Sequence, residues 1–229
     1  MIDPAPAREW FRSWFGEEYL ALYPHRDQRE AHDAVHLYLA STPPPEGTLV
    51  LDLACGAGRH LRELVTSEQH ATGLDLSLTL LRRARSTGPG DALVGGDMRE
   101  LPFRDGAFGG LTSFFTSFGY FEDSSDDERV LSEMARVLRP DGTFMLDFLN
   151  AERVRRELVP EDVRDTDLGR VVQKRTIVDD TVVKSIRVEP TAAGGDARTF
   201  HERVRLYERE RLEELLWAAG LATTHRSGD

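Results

Sequence analysis

A doubly wound, mostly parallel α/β sheet is what this 229-residue sequence predicts, on three observations. Residues 49–53, L-V-L-D-L, are a short apolar run that leads straight into Ala54-Cys55-Gly56-Ala57-Gly58 and then into a helical pattern from about Arg59. Strand, glycine turn and helix in that order make room for a nucleotide-type ligand at the strand's carboxyl end. The glycines accept positive φ and let backbone N–H groups approach a ligand with no Cβ in the way. A second strand, residues 71–75, closes on Asp75, nineteen positions after Gly56. An acid at that place suits a carboxylate that accepts from ribose hydroxyls. At a strand end it is expected to face solvent and to matter little to stability. Strand and helix patterns then alternate as far as residue 150.

The glycine turn is neither of two common types. A dinucleotide fingerprint, G-x-G-x-x-G, uses its third glycine for close helix–strand packing, and position 61 is Leu. A phosphate-binding P-loop needs Gly-Lys-Ser/Thr, and no lysine follows. What remains is an acid on the strand, Asp52, followed by small-x-Gly-x-Gly.

Taken in order, residues 8–23 read as one helix, with Trp10, Phe11, Trp14, Phe15, Tyr19, Leu22 and Tyr23 near the 3.6 period. It is either a helix packed over the sheet edge or a lid over the ligand. Pro24 breaks it, and a second helix covers residues 27–40. There His32-Asp33-Ala34-Val35-His36 imitates the zinc motif H-E-x-x-H, and histidines at i and i+4 share a helix face. Asp33 is a carbon shorter than the glutamate base, and no third ligand follows at a familiar spacing. The reading is two polar positions and no metal. Pro43-Pro44-Pro45-Glu46-Gly47 is a stiff linker. It ends an N-terminal cap (1–46) and starts an α/β core (47–150).

In the core, a helix over 58–66 offers unpaired N–H groups at its start. Ser77 caps a helix running to residue 85, and residues 92–95 are a third strand. The fourth strand lies within 108–115 and ends in F-F-T-S-F-G-Y-F, residues 114–121. Ligands bind outside the carboxyl ends of such strands, so Phe115, Ser117, Phe118 and Tyr120 are pocket candidates, with Phe114 and Phe121 assigned to the core. An amphipathic helix spans 123–138, its acidic start (Asp123, Asp126, Asp127, Glu128) answering the helix dipole. Residues 139–142 are a turn, 143–149 the fifth strand, and Asn150 lies on the ligand side.

The pattern then changes. After a short helix at 151–160, residues 170–178, 181–189 and 197–206 alternate and are rich in Val, Thr and Ile, separated by Asp179-Asp180 and Gly194-Gly195. This is an antiparallel insert (151–207), either a substrate cover or a plain sheet extension and homodimer surface. His201, Arg205 and Tyr207 are its polar residues with a view of an acceptor. The last part (208–229) holds a helix over 208–219, Gly220 as its cap, and a sixth strand at 221–226. The predicted sheet order is 3-2-1-4-5-6.

Composition narrows the partners. Net charge is −11 and the isoelectric point about 5.2, which disfavours nucleic acid and anionic membranes. No apolar run is long enough to span a bilayer, and the first residues lack the marks of a signal peptide. The lone cysteine, Cys55, excludes an internal disulfide and suits the cytoplasm.

Four pieces carry a family resemblance: V-L-D-L-A-C-G-A-G-R, T-G-L-D-L-S, G-G-D-M-R-E-L-P-F and R-V-L-R-P-D-G-T-F-M-L-D. In that order and spacing the chain resembles a Rossmann-like class I S-adenosylmethionine-dependent methyltransferase over residues 15–225. Ala54 stands where the family usually has Gly. The family also adds a seventh strand, for which no sequence remains. The resemblance implies a cofactor site at Ala54, Cys55, Gly56, Gly58, Arg59, Asp75, Leu76, Ser77, Asp97, Met98 and Phe115. Asp97 would accept from the adenine amine and Arg59 would pair with the methionine carboxylate or with a neighbouring acid. Tyr19, Tyr23 and Arg26 are lid residues, with Tyr23 and Arg26 expected to reach the cofactor. Substrate-pocket candidates are Tyr19, Ser117, Phe118, Tyr120, Asn150 and Arg205. A general base, where one is needed, comes from His25, Tyr120, His201 or Tyr207. No Asn/Asp-Pro-Pro-aromatic motif follows the fourth strand, so nucleic-acid amino methylation is disfavoured. The expected reaction is in-line methyl transfer to a small-molecule O, N or C nucleophile. The alternatives are a cofactor-binding protein without turnover and an NAD(P)-dependent oxidoreductase.

Overall fold

The computed structural model describes residues 7–23, 28–88, 92–190 and 196–228. Five strands, β1 (Leu49–Leu53), β2 (His70–Asp75), β3 (Leu93–Gly95), β4 (Phe108–Ser113) and β5 (Leu138–Leu146), form a parallel sheet in the order β3-β2-β1-β4-β5. β1 is central, and Val50, Leu51 and Leu53 are all buried. A parallel strand covered on both faces needs a continuous apolar run rather than alternation. Leu51 is level with Thr72 of β2 and Leu111 of β4, so these three strands open their carboxyl ends side by side.

The connecting helices are α4 (Arg59–Thr66), α5 (Leu78–Thr87) and α6 (Ser124–Val137), with α3 (Gln28–Ser41) packed on α4. Gly58 caps α4 in the left-handed region, and a Cβ there would meet the Ala84 Cβ of α5 at 3.0 Å. Glycine is required twice over at this position, by φ and by space. Ser77 caps α5 as expected, its Oγ accepting from the Leu80 N–H at 3.2 Å.

Several boundaries differ from the sequence reading. Residues 8–23 form two helices, α1 (Trp10–Trp14) and α2 (Glu17–Leu22), because Gly16 between them is extended. β5 starts at Leu138 directly after α6, and the expected turn at 139–142 is an irregularity inside the strand, where its register against β4 shifts. The expected sixth strand does not form, and residues 221–228 carry no strand. Only Leu221 of that stretch is buried. The Thr, His, Arg and Ser that follow are exposed and would bury no apolar face as a strand.

The insert is a four-stranded antiparallel sheet, β6 (Glu161–Thr166), β7 (Gly169–Val178), β8 (Thr181–Glu189) and β9 (Arg198–Arg205), in chain order. Strand β6, E-D-V-R-D-T, was not expected because its composition is poor for a strand. Cross-strand charge supports it: Glu161 faces Lys174, and Asp162 pairs with Arg175 at 2.5 Å. Helices α7 (Ala151–Glu157) and α8 (Arg209–Ala218) flank the insert in sequence. Among the described residues no helix is long and apolar enough to cross a membrane.

Candidate active site

A cavity of about 350 Å³ opens at the carboxyl ends of β1 and β2. Its floor is the turn after β1, where Ala54 (φ 58°), Gly56 (φ 55°) and Gly58 (φ 76°) are all left-handed. Its walls are Asp75, Leu76 and Ser77 after β2, and Asp97 and Met98 after β3. Its roof is the N-terminal cap: Phe11, Arg12, Phe15, Tyr19 and Tyr23 line it. Ser77 Oγ donates to the Phe15 carbonyl at 2.6 Å and so pins roof to wall. Cys55, Arg59, Phe115, Ser117 and Tyr120 line the same space. The fourteen residues Tyr19, Tyr23, Ala54, Cys55, Gly56, Arg59, Asp75, Leu76, Ser77, Asp97, Met98, Phe115, Ser117 and Tyr120, all named from the sequence, therefore share one cavity. Gly58 does not line it and acts from behind, as the cap of α4. His25 and Arg26 lie outside the described residues.

Asp75 does not face solvent. It is 8% exposed, and its two oxygens accept from the Gly56 N–H at 2.8 Å and the Ser77 N–H at 2.7 Å. Burial raises its pKa against those hydrogen bonds. The expectation that it matters little to stability is corrected accordingly, since one carboxylate ties together the turns after β1 and β2. Asp97 accepts from the Arg99 N–H at 3.0 Å, from Arg99 Nη2 at 2.7 Å and from Arg12 Nη2 at 3.3 Å. Against the cost of burial, Arg99 holds its carboxyl below the ordinary value. Asp52 sits beneath the floor, and burial pushes its carboxyl up to about 7. Its Oδ1 accepts from Thr112 Oγ1 at 3.4 Å, while Oδ2 meets no hydrogen-bond partner of ordinary geometry among the described residues.

Arg59 pairs with Glu30 of α3 at 2.6 Å and lies 4.9 Å over the Phe115 ring. It lines the cavity and pairs with a neighbouring acid, the second of the two sequence readings. His60 also lines the cavity and stacks on Phe114 at 4.5 Å. Burial, then the Arg59 charge, lowers its pKa to about 3, so the ring is neutral. Phe115 and Thr116 are consecutive left-handed residues, φ 60° and 54°. Side chains with a Cβ rarely adopt this conformation, and such strain collects at functional sites. Asp147 holds the pair: its Oδ2 accepts from the Phe115 N–H at 2.8 Å and its carbonyl from the Thr116 N–H at 3.1 Å. The sequence reading missed Asp147. Its signal was available, since it is an acid closing the fifth strand as Asp75 closes the second.

A larger groove of about 1700 Å³ runs along β5, the insert and α8, and shares Phe15, Tyr19, Phe114, Phe115 and Tyr120 with the cavity. Asn150 lines it while capping α7 through the Arg153 N–H at 3.0 Å. Lys184 and Glu202 line it too. Lys184 Nζ donates to Tyr23 Oη at 2.7 Å and to Glu202 at 3.1 Å, and Trp14 Nε1 donates to Glu202 at 2.7 Å. This network joins the cap to the insert.

Four candidates need correction. Phe118 is fully buried against Phe148 and Tyr207, so it is core. Arg205 is a strut: it donates to the Phe121 and Glu122 carbonyls and to Asp127. Tyr207 lines the groove, but its hydroxyl donates to Asp127 at 2.7 Å. His201 lines neither space, and its buried Nε2 has no hydrogen-bond partner among the described residues. Asp127 accordingly does more than answer a helix dipole. It is fully buried, desolvation pushes its carboxyl up to about 6, and it anchors the insert to α6.

The cavity suits an adenosine-bearing cofactor. Its volume is at the lower end for small-molecule sites. The turn at 54–58 brings bare backbone to a helix N-terminus, and Asp75 and Asp97 stand at neighbouring strand ends. Comparison with known proteins points the same way. Residues 50–142 match the family described as a methyltransferase domain. An N,N-dimethyltransferase of dTDP-3-amino-3,6-dideoxy-α-D-glucopyranose from Streptomyces fradiae is 30% identical, covering 87% of this chain and 79% of its own length. The corresponding dTDP-3-amino-3,4,6-trideoxy-α-D-glucopyranose enzyme of Streptomyces venezuelae is 28% identical over 99% of this chain and 93% of its own. A human probable tRNA methyltransferase 9B is 34% identical, over 59% of this chain but only 28% of that protein. Among solved structures, the S-adenosylmethionine-bound amino pentose methyltransferase CalS10 of Micromonospora echinaspora superposes with TM-score 0.70 at 26% identity, over 89% of this chain and 88% of its own. With the glycine turn, the two strand-end acids and full-length relatives in agreement, the chain belongs to the S-adenosylmethionine-dependent methyltransferases.

Proposed function

We propose that this chain methylates the amino group of a small sugar-type acceptor. The observation that carries the reading is the aromatic wall of Phe15, Tyr19, Phe115 and Tyr120, common to the cavity and to the groove beside it. A cofactor in one space and an acceptor in the other would meet there. The full-length amino-sugar relatives support the acceptor class. The net charge of −11 argues against a polynucleotide.

When bound, S-adenosylmethionine supplies a methyl group already activated by its sulfonium. The residues that would hold it are Asp75 at the ribose hydroxyls, Met98 and Asp97 at the adenine, and Arg59 with the turn after Gly56 at the methionine end. This chain's own contribution is alignment and exclusion of water. The cap roofs the cavity, and the Lys184–Tyr23 and Trp14–Glu202 bonds hold that roof to the insert. Aromatic faces at the shared wall favour a cationic centre. An amine must lose its proton before it attacks. Asp147 and Glu202 are among the carboxylates that line the groove, whereas His60, with its pKa near 3, is too weak a base. The single thiol fits a cytoplasmic setting.

Incubation with S-adenosylmethionine and a panel of dTDP-amino sugars, followed by mass spectrometry, tests the proposal. Mono- or dimethylated sugar together with S-adenosylhomocysteine is the expected result. Methylation of tRNA or of a hydroxylated acceptor, with the amino sugars untouched, would overturn it.

A further inference from the structure

Helices α3 and α4 bring together three side chains that neither the cavity nor the groove uses. His32 and His36 lie one turn apart on α3, their ring centroids 4.0 Å from each other. Glu63 of α4 faces both. Its Oε1 is 2.8 Å from His32 Nδ1 and 3.7 Å from His36 Nε2, and all three donor atoms lie within 4.8 Å of one another. Ligands at about 2.1 Å around a tetrahedral zinc ion stand roughly 3.4 Å apart. The two distances bracket that separation. The third ligand missing from the look-alike motif is therefore present, supplied by the next helix and not by the next stretch of sequence.

The surroundings favour an ion over a simple salt bridge. Both rings meet one carboxylate oxygen: His32 Nδ1 is hydrogen-bonded to Glu63 Oε1, and His36, its ring against His32, turns Nε2 to the same oxygen at the longer 3.7 Å. Two protonated imidazoles in that position would repel, as like charges at i and i+4 do. Two imidazoles sharing a cation with a carboxylate do not. Gln28 Nε2 donates to Glu63 Oε2 at 3.1 Å, which leaves Oε1 toward the histidines. Orienting a ligand by a hydrogen bond from outside the ligand set is typical of metal centres. The Glu63 side chain is 9% exposed and the histidines 52% and 55%, so an ion would be held on a fixed carboxylate with solvent access for water ligands.

We infer that His32, His36 and Glu63 form a site for a divalent transition metal of the zinc, cobalt and nickel group. These ions accept imidazole together with carboxylate. The site would staple α3 to α4, the helix that begins at the glycine turn. It does not depend on the acceptor proposed above.

The test uses the untagged full chain, stripped with chelator and titrated with cobalt(II) chloride. Visible d–d bands that saturate at one ion per chain and disappear on adding zinc(II) chloride are expected, with a rise in Tm on adding zinc. His36→Ala and Glu63→Gln should each weaken metal binding at least about tenfold, while their metal-free circular dichroism matches the parent. His36 is largely exposed, so His36→Ala reads the site even where Glu63→Gln fails to fold. The absence of visible bands in the parent, or equal affinity in His36→Ala, would reduce the cluster to an ion pair and overturn the inference.

Discussion

Asp75 Oδ2 accepts a hydrogen bond from the Gly56 N–H at 2.8 Å, so the acid that closes the second strand also fastens the turn that follows the first. Its other oxygen holds the Ser77 N–H. Asp75→Ala is expected to weaken S-adenosylhomocysteine binding by about 2 to 4 kcal/mol and to lower stability by roughly 1 to 3 kcal/mol, since buried N–H donors lose their acceptor. Asp75→Asn keeps an acceptor and should cost less on both counts. Calorimetric titration and urea unfolding read the two effects separately. Wild-type affinity in Asp75→Ala would place the ribose elsewhere.

Ala54 occupies a left-handed position, φ 58°. A residue with a Cβ pays about 1 to 2 kcal/mol there, and glycine's larger unfolded entropy takes back roughly 0.5 to 1 kcal/mol. Ala54→Gly is therefore expected to raise the urea midpoint slightly, by about 0.5 kcal/mol of stability. A loss of stability would show that Ala54 contributes packing that outweighs the strain.

Asp52 gives stability a pH dependence. In the unfolded chain it releases its proton near the ordinary 3.8, and in the folded protein near 7. Between those values the folded state binds more protons, so this group's contribution is full below about pH 4 and is lost as pH rises through about 7, at most about 4 kcal/mol in all. Asp52→Asn removes the dependence. Urea unfolding of both proteins at about pH 5 and about pH 8 checks it, and parallel pH profiles would mean that Asp52 titrates normally.

Tyr207 is a tether. Tyr207→Phe leaves Asp127 short of its 2.7 Å donor and should cost about 1 to 3 kcal/mol of stability. Turnover in the folded fraction should be unchanged. A stable Tyr207→Phe enzyme with no activity would instead make the hydroxyl part of the chemistry.

The sequence carried the sheet centre and the cavity well, because both depend on local signals. Leu49–Leu53 is apolar except for the buried Asp52, and Gly56, Gly58, Asp75 and Asp97 sit at fixed distances from strand ends. Features built by contacts distant in sequence were not legible. Strand β6 is charged and exists through its pairing with β7. Arg205 looked like a substrate ligand until its partners, Asp127 and two carbonyls about eighty residues away, came into view. Phe118 and Phe115 stand three residues apart in an aromatic run, and only the left-handed backbone at 115 and 116 decides which one faces the cavity. The sixth strand expected at 221–226 does not form, since the residues at 222–228 are exposed and offer no apolar face to support it.

The thiol of Cys55 is the only one in the chain. It stands between the glycine turn and β2, so close that a Cβ on Gly73 would come within 2.7 Å of its sulfur. Burial raises its pKa well above the ordinary value, so a disulfide reagent meets no reactive thiolate while the turn stays closed. Mixing the unmodified enzyme with such a reagent thus becomes a clock for breathing of the turn. The labelling rate reports how often the floor of the cavity lifts, and S-adenosylhomocysteine should slow it in proportion to occupancy, with no engineered probe.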